Sequence, residues 1–349
     1  MISKKIGLGN LGNTCYMNSV LQCLYHTKFK EELMKDIYGG SLVKILKNLF
    51  AQLEGGPQLN NTSVFIFTVP KDVRKNEQIY INANELKSYT IHSSFQNKKA
   101  IYPSELKNYI DRKINKFYGY DTHDCSDFFV NLLNLLEKET KLANLFLIEM
   151  KIISQISHIK EYNSISCFSS IKKKYITSTN ALTDDDKSFF LDIPSTSFKS
   201  DLKSCIIDYL KPKKLSGNVQ GTEFKQFLDL PDILVINFRR INKNYYYQNF
   251  IKYPKEIDLT ELIEQKNISR LNNQMNGFKN LKVKNYKYQL KAFIIHRGHP
   301  QAGHKIAICY DEKDREWYSF DDSDGVPCYE PFNQEVAFLF FYEKINYIN

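Results

Sequence analysis

The stretch that most constrains this chain is GLGNLGNTCYMNSVLQCL, residues 7–24, in which a glycine-rich loop leads through a cysteine into a helical pattern. Four apolar residues recur at the i, i+3, i+4, i+7 spacing of one helix face, namely Met17, Val20, Leu21 and Leu24. Asn13 is a plausible N-cap of this helix. Cys15 would then lie in the first turn, where unpaired N–H groups and the positive end of the helix dipole favour a thiolate. This setting predicts a nucleophilic cysteine.

Two other interpretations apply to the same stretch. A free cysteine is most often a small buried hydrophobic residue, so Cys15 could be purely structural. The glycines within residues 7–12 also spell G-x-G-x-x-G, and Glu31 and Glu32 lie where a dinucleotide site places its ribose-binding acid. That motif needs a preceding strand, for which only residues 1–6 are available, so the nucleotide interpretation is disfavoured.

Composition is that of an ordinary globular protein. The chain has 349 residues, 42% of them hydrophobic, enough for one large or two modest domains. No apolar run approaches the ~20 residues of a membrane span, and no secretory leader is recognisable. Seven cysteines without a C-x-x-C pair indicate neither a zinc ribbon nor a disulfide framework. A net charge of +9 is spread along the chain without a nucleic-acid-binding module. We therefore expect no membrane or nucleic-acid partner, and a cytoplasmic or nuclear location.

Periodicity divides the chain into a helical first part and a strand-rich second part. Helical spacing is found over residues 31–53, 104–118 and 121–142, whereas residues 60–99 give mixed signals that include the predicted strands VFIFTV and QIYINA. After about residue 147, strand patterns dominate and one short helix is predicted around Leu202–Leu210. Helices followed by strands, without a low-complexity linker, predict an α+β architecture in a single domain.

Among seven histidines, His304 has the context that best suits a catalytic base. It lies at the start of the predicted strand AGHKIAICYD, after a glycine that leaves room for a substrate. The next predicted strand, EWYSFDDSDG, carries Asp321 and Asp322 at its far end. An antiparallel pairing of these strands would bring His304 beside one of the two acids. With Cys15, these residues would supply the nucleophile, base and orienting acid of a cysteine hydrolase.

The segment GNLGNTCYMNSVLQCL resembles the cysteine box of the ubiquitin-specific proteases, a family of papain-like deubiquitinases. YQLKAFIIHRG, followed by GHK, a tryptophan and FDD, resembles the histidine box of the family, except that Lys305 replaces the usual aromatic residue. Further blocks follow in the family's order as far as Lys344, so the resemblance covers essentially the whole chain. It implies a papain-like cysteine peptidase fold in one catalytic domain with three subregions: a helical thumb (about 1–146), shortened β fingers (within about 147–240) and an antiparallel β palm (about 186–349, interleaved with the fingers).

The resemblance also implies roles for the catalytic residues. Cys15 corresponds to the nucleophile and His304 to the base. Asp321 corresponds to the orienting acid, with Asp322 as the alternative. Asn10, five residues before the cysteine, matches the side chain that stabilises the oxyanion in the family.

Substrate recognition is expected at a second block. YGYDTHDCSDFF resembles the family block that binds the Arg-rich tail of ubiquitin, so Asp124 and Asp127 are expected to bind that tail. Thr122 and His123 replace two glutamines of the block, and Asp127 is one methylene shorter than the family's glutamate. The expected fingers region contains only two cysteines, so no zinc and no cofactor are expected.

The implied function is a thiol-dependent deubiquitinase. It would hydrolyse the peptide or isopeptide bond after the C-terminal glycine of ubiquitin through an acyl-thioester intermediate. Its partners would be ubiquitin, ubiquitinated proteins and a possible activating or targeting protein. Two alternatives stay open: a protease for another ubiquitin-like modifier, because the tail-binding block departs from the family, and a non-catalytic ubiquitin-binding scaffold with the same fold.

Overall fold

The structure, a computed structural model, describes residues 5–55, 100–166, 169–214, 220–242, 245–263, 285–299, 303–329, 331–333 and 336–345. The two strands expected within residues 60–99 lie outside the described residues. In the part of the chain that is described, no helix is long and apolar enough to cross a membrane.

Helices form the first part of the chain, as predicted. The described residues contain six α-helices: α1 (Cys15–Tyr25), α2 (Lys28–Lys35), α3 (Ser41–Leu53), α4 (Ser104–Lys113), α5 (Cys125–Glu137) and α6 (Leu202–Leu210). All residues of α1 except Tyr25 are buried, which makes α1 the central helix of this lobe. Helix α6 confirms the short helix expected at these residues.

Three details of the helical predictions were wrong. Thr14, and not Asn13, is the N-cap of α1, because Asn13 adopts a left-handed φ of +53° and its amide donates to Tyr120 O at 2.8 Å. The expected helix over 31–53 is two helices, since the Asp36 carboxylate accepts the Tyr38 N–H at 3.0 Å in a turn that competes with helix. The other two predicted helices are each shorter than expected, as α4 and α5 show.

Strands make up most of the second part. Fifteen lie within the described residues: β1 (Lys5–Ile6), β2 (Ile148–Ser166), β3 (Ser169–Ser188), β4 (Leu191–Pro194), β5 (Lys213–Lys214), β6 (Gln220–Asp229), β7 (Ile233–Arg239), β8 (Ile241–Asn242), β9 (Tyr245–Tyr246), β10 (Glu256–Asp258), β11 (Lys287–Arg297), β12 (His304–Asp311), β13 (Glu316–Asp321), β14 (Asp324–Pro327) and β15 (Ala337–Lys344). Short 3-10 turns connect several of them. The mixed composition confirms the α+β class.

Two sheets account for nearly all of these strands. The central sheet has the order β1-β14-β13-β12-β11-β15-β7-β4, with β10 added beside β11, and it is antiparallel except for the β4–β7 pair. A second sheet has the order β3-β2-β6-β5 and contains the long hairpin of β2 and β3. The residue pattern did not predict a strand over β2.

The helices pack on the central sheet through one continuous hydrophobic core. Phe129 of α5 illustrates the joint, with its ring 5.6 Å from that of Phe341 on β15 and 5.3 Å from that of Phe146. Burying several aromatic rings at this joint contributes on the order of 1.5–3 kcal/mol for each side chain. Helix α1 lies against β11, β12 and β13, and the main-chain N–H of Lys305 on β12 donates to Cys15 at the N-terminus of α1. This packing sets the geometry of the candidate site.

Candidate active site

Cys15 is the first residue of α1 and is 5% exposed. The glycine-rich loop before it is held by polar contacts, because Thr14 Oγ1 accepts the Leu11 N–H at 2.9 Å. Burial raises the pKa of the Cys15 thiol, and Asp322 raises it further. The main-chain N–H of Lys305, its ammonium charge and the Tyr16 N–H act in the opposite direction, toward the thiolate. The prediction that the helix start alone favours a thiolate was therefore incomplete, since burial is the largest effect on this pKa.

His304 and Asp321 form a direct pair at the facing ends of β12 and β13. His304 Nε2 lies 2.6 Å from Asp321 Oδ1 and 3.9 Å from Asp322 Oδ2. The antiparallel register makes this possible, because Ala307 lies opposite Phe320 and the two strands converge toward His304 and Asp321. Since Nε2 is engaged by the acid, Nδ1 is the ring nitrogen left to exchange a proton with a thiol. Within the described residues, no hydrogen bond joins Cys15 Sγ to His304.

Asp322 has a different set of partners. Its carboxylate accepts the Asn10 Nδ2–H and the Asn18 Nδ2–H, each at 2.8 Å, and its carbonyl accepts the Leu8 N–H at 2.8 Å. The backbone φ of +47° places Asp322 in the left-handed region, which aspartate tolerates better than most residues. Asp322 thus ties the turn after β13 to the loop before Cys15. The structure separates the two acids that the residue pattern left as alternatives.

Asn10 is fixed on both sides of its amide. Asn10 Oδ1 accepts the main-chain N–H groups of Gly12 at 2.9 Å and Thr14 at 3.1 Å, while its Nδ2 donates one hydrogen to Asp322. An amide nitrogen carries two hydrogens, so the second is available to a ligand. The side chain is therefore pre-organised next to the nucleophile.

The two acids expected to bind substrate lie at the start of α5. Asp124 is the N-cap, and its Oδ1 accepts the Ser126 N–H at 2.7 Å and the Asp127 N–H at 3.3 Å. Asp127 forms an ion pair with Lys116. Both acids line a cavity of about 560 Å³. The same cavity is also lined by polar and charged residues, among them Thr122, His123, Asp192, Arg239, Arg240, His296 and Lys305.

Two residues at the site were not anticipated from the sequence. Asn18 was not singled out, although it is 2% exposed and its amide bridges Asp322 to the carbonyls of Leu8 and Gly9. Lys305 was noted only as a departure from an aromatic residue, yet it is buried in the cavity beside Cys15. A charged residue inside the apolar strand pattern of AGHKIAICYD was the available signal.

The residues that could hold a metal ion belong to the same site. Among the described residues, His304, Asp321 and Asp322 offer ligand atoms that lie within 4.8 Å of one another. Each of these groups already has a partner, because Asp321 binds His304 and Asp322 binds the two asparagines. The set is thus arranged for proton transfer and loop positioning. His296 and His299 are joined by a contact of 3.1 Å from His296 Nε2 to His299 O.

The relatives found by comparison with known proteins share the name ubiquitin carboxyl-terminal hydrolase. The chain is 25% identical to ubiquitin carboxyl-terminal hydrolase 2 of Bos taurus over 97% of this chain and 54% of that protein. It is 22% identical to ubiquitin carboxyl-terminal hydrolase 8 of Saccharomyces cerevisiae over 96% of this chain and 70% of that protein. The chain thus spans about half the length of the first of these relatives.

A solved structure shares the fold. The SAGA DUB module, with Ubp8, Sgf11, Sus1 and Sgf73 bound to monoubiquitin, superposes with a TM-score of 0.63 at 17% identity, over 99% of this chain and 72% of that chain. This likeness confirms the fold expected from the resemblance to ubiquitin-specific proteases. The family model described as ubiquitin carboxyl-terminal hydrolase matches residues 6–342, nearly the whole chain. The chain therefore belongs to the ubiquitin carboxyl-terminal hydrolase family.

Proposed function

We propose that this protein is a cysteine deubiquitinase that uses Cys15, His304 and Asp321 as its catalytic triad. The observation that carries the proposal is the 2.6 Å contact between His304 Nε2 and Asp321. The residue after His304, Lys305, donates its main-chain N–H to Cys15 at the first position of a buried helix. A base oriented by an acid next to a thiol is the arrangement that nucleophilic catalysis requires. Membership of the family supports the same reaction.

The reaction would proceed through a thioester. His304 takes the Cys15 proton at Nδ1, and the thiolate attacks the carbonyl carbon of the terminal glycine of ubiquitin. Asp321 holds the ring in the required tautomer at Nε2, and the imidazolium then gives its proton to the leaving amine. Water, deprotonated by His304, hydrolyses the thioester and releases ubiquitin and the free thiol.

Oxyanion stabilisation would come from the loop before α1. The proposed donors are the free Nδ2 hydrogen of Asn10 and the main-chain N–H of Cys15. Such donors act most strongly when they are fixed before the reaction begins. The hydrogen bonds of Asn10 to Gly12, Thr14 and Asp322 supply this rigidity.

Ubiquitin binding is proposed from three supports. Relatives carry the name ubiquitin carboxyl-terminal hydrolase, and the structural neighbour was solved with monoubiquitin bound. The cavity beside Cys15 also carries the carboxylates of Asp124 and Asp127, which suit an Arg-rich tail. Because that neighbour lies in a multi-protein module, a targeting or activating partner is proposed as well.

Six described cysteines are free thiols, which supports a reducing, cytoplasmic or nuclear location.

A hydrolase for another ubiquitin-like modifier is the second candidate. The observation that favours it is the mixed charge of the cavity, where Arg239, Arg240 and Lys305 lie among the lining residues. A modifier with a less basic tail would fit such a cavity as well as ubiquitin does.

The test is release of a fluorophore from the C-terminus of ubiquitin, with parallel ubiquitin-like substrates. We expect turnover to be fastest with ubiquitin and to be abolished in the variant Cys15→Ala. Cys328→Ala is the matched control, since Cys328 lies outside the site, and it should retain activity. Turnover of a different modifier alone would replace the substrate and keep the triad. Binding of ubiquitin without any turnover would favour the scaffold alternative.

A further inference from the structure

Lys305 is a buried cation without a carboxylate partner among the described residues. It is 7% exposed, and the contact recorded for its Nζ is with Gly303 O at 3.3 Å. An ammonium group has three hydrogens to donate, and burial without an acceptor or a counter-ion is costly. The other buried lysines differ: Lys107 binds Asp111, and Lys291 binds Glu312. The position of Lys305 therefore requires a separate explanation.

The packing of β12 against α1 places Lys305 beside Cys15. Cys309 lies four residues after Lys305 on the same face of β12, and its thiol contacts that of Cys23 on α1. Four strand residues span about 13 Å. Cys23 lies eight residues after Cys15, and eight helical residues span about 12 Å. Because the two spacings agree, β12 runs alongside α1 with Lys305 level with Cys15, and the Lys305 main-chain N–H donates to the Cys15 thiol.

Charged and titratable groups lie around Lys305. Four that line its cavity have partners of their own: Asp127 pairs with Lys116, Arg239 pairs with Asp192, and Arg240 donates to main-chain carbonyls. Helix α1 contributes Cys15, α5 contributes Asp124 and Cys125, the loop before α5 contributes His123, and β11 contributes His296. Asp322 adds a negative charge that acts on Cys15. Asp124 is exposed and serves as the cap of α5, so it does not neutralise Lys305 directly. The buried anion that Lys305 can balance is the Cys15 thiolate.

We propose that Lys305 is the second cation of the active site and that it stabilises the Cys15 thiolate together with the imidazolium of His304. The inference rests on the proposed function, because it assigns a partner to the same nucleophile. Its main-chain N–H donates to the sulfur and its ammonium charge acts on it, whereas burial and Asp322 oppose ionisation. Lys305 thus offsets the cost of burying the thiolate at a position where the family resemblance leads us to expect an aromatic residue.

The test is the pH dependence of Cys15 alkylation by iodoacetamide, which requires no substrate. The modified peptide that contains Cys15 is quantified by mass spectrometry in the wild type and in Lys305→Gln, Lys305→Arg and Lys305→Met. Glutamine keeps a hydrogen bond to Gly303 O and removes the charge, whereas arginine keeps the charge. Lys291→Met is the matched control, because it removes another buried lysine on the neighbouring strand.

An opposite charge close to a thiol shifts its pKa by about one unit or more, so we expect Lys305→Gln to alkylate about tenfold more slowly at pH 6.5. The acidic limb of kcat/KM with ubiquitin substrate should move upward by about the same amount. Lys305→Arg and Lys291→Met should keep the wild-type profile. A wild-type alkylation profile in folded Lys305→Gln would overturn the proposal, and thermal unfolding of each variant establishes that it is folded. Absence of turnover in the wild type would instead contradict the proposed function and leave the alkylation result intact.

Discussion

The substitution Asp322→Asn tests whether Asp322 acts by holding the Asn10 loop or by acting on the Cys15 thiol. Asparagine tolerates the φ of +47° about as well as aspartate does, so backbone strain stays nearly unchanged. Asn10 and Asn18 donate to different oxygens of the carboxylate, so an amide at this position keeps an acceptor for one of them and presents an NH2 group to the other. Asn18 is buried and retains its contacts with the Leu8 and Gly9 carbonyls, so the exposed Asn10 is expected to lose its partner. Loss of a hydrogen bond to a charged group costs about 1.5–3 kcal/mol.

The effect on turnover follows from the position of Asn10. Release of one oxyanion donor is expected to lower kcat for ubiquitin–fluorophore hydrolysis about a hundredfold, the lower end of what removal of such a donor costs. The same substitution removes a negative charge that raises the pKa of Cys15, so that pKa should fall. Alkylation of Cys15 at pH 6.5 should therefore be as fast as in the wild type or faster.

Turnover must therefore fall while alkylation stays at the wild-type rate or rises. A parallel loss of turnover and alkylation would refute it, because it would show that Asp322 acts on the nucleophile and not on the loop. Turnover within about threefold of the wild type, which corresponds to less than 0.7 kcal/mol, would also refute it. Asp321→Asn is the matched comparison, since it removes the same charge from the acid that contacts His304, and it should lower turnover through the base.

Three further predictions concern packing around the site. Gln22 is 2% exposed, and among the described residues neither polar atom of its side-chain amide has a partner. Gln22→Leu should therefore leave the free energy of unfolding in urea unchanged or raise it by about 1 kcal/mol. Gly303→Ala would place a Cβ 1.8 Å from His296 Nε2, and the displaced start of β12 should lower kcat/KM at least about tenfold. Lys107→Met would leave Asp111 without its buried cation and should cost about 3 kcal/mol in urea unfolding.

The residue pattern predicted the architecture because hydrophobic periodicity and long motifs are local properties. The start of α1 was predicted within one residue, and α6 was predicted at its observed bounds. The short helix over residues 28–35 and the break that follows depend on a turn at Asp36, which periodicity does not register. Strand β2 was missed because strand formation depends on cross-strand neighbours, here β3 and β6, which a local pattern does not show.

The sequence identified the residues of the site but not the contacts between them. Cys15, His304 and the two acids were identified from the chain, but their pairing depends on the convergence of β12 and β13 in three dimensions. Whether Asp321 or Asp322 contacts the imidazole is decided by one residue of register, and the sequence alone left both open. The partners of Lys305 depend on how β12 sits against α1, which no local pattern specifies.

The pairing of β1 with β14 has a consequence for the order of folding. Lys5 lies opposite Gly325, and the Asn10 amide reaches an acid that is 312 residues later in the chain. Closing such a loop costs entropy that only late, non-local contacts can repay, so these contacts form after the helical lobe has collapsed. A chain still emerging from the ribosome would carry Cys15 on a formed helix before its base, acid and oxyanion-loop anchor exist. The chain would thus be able to hydrolyse a substrate only after the last strands have formed. Until then, the Cys15 thiol of the nascent chain would be inactive.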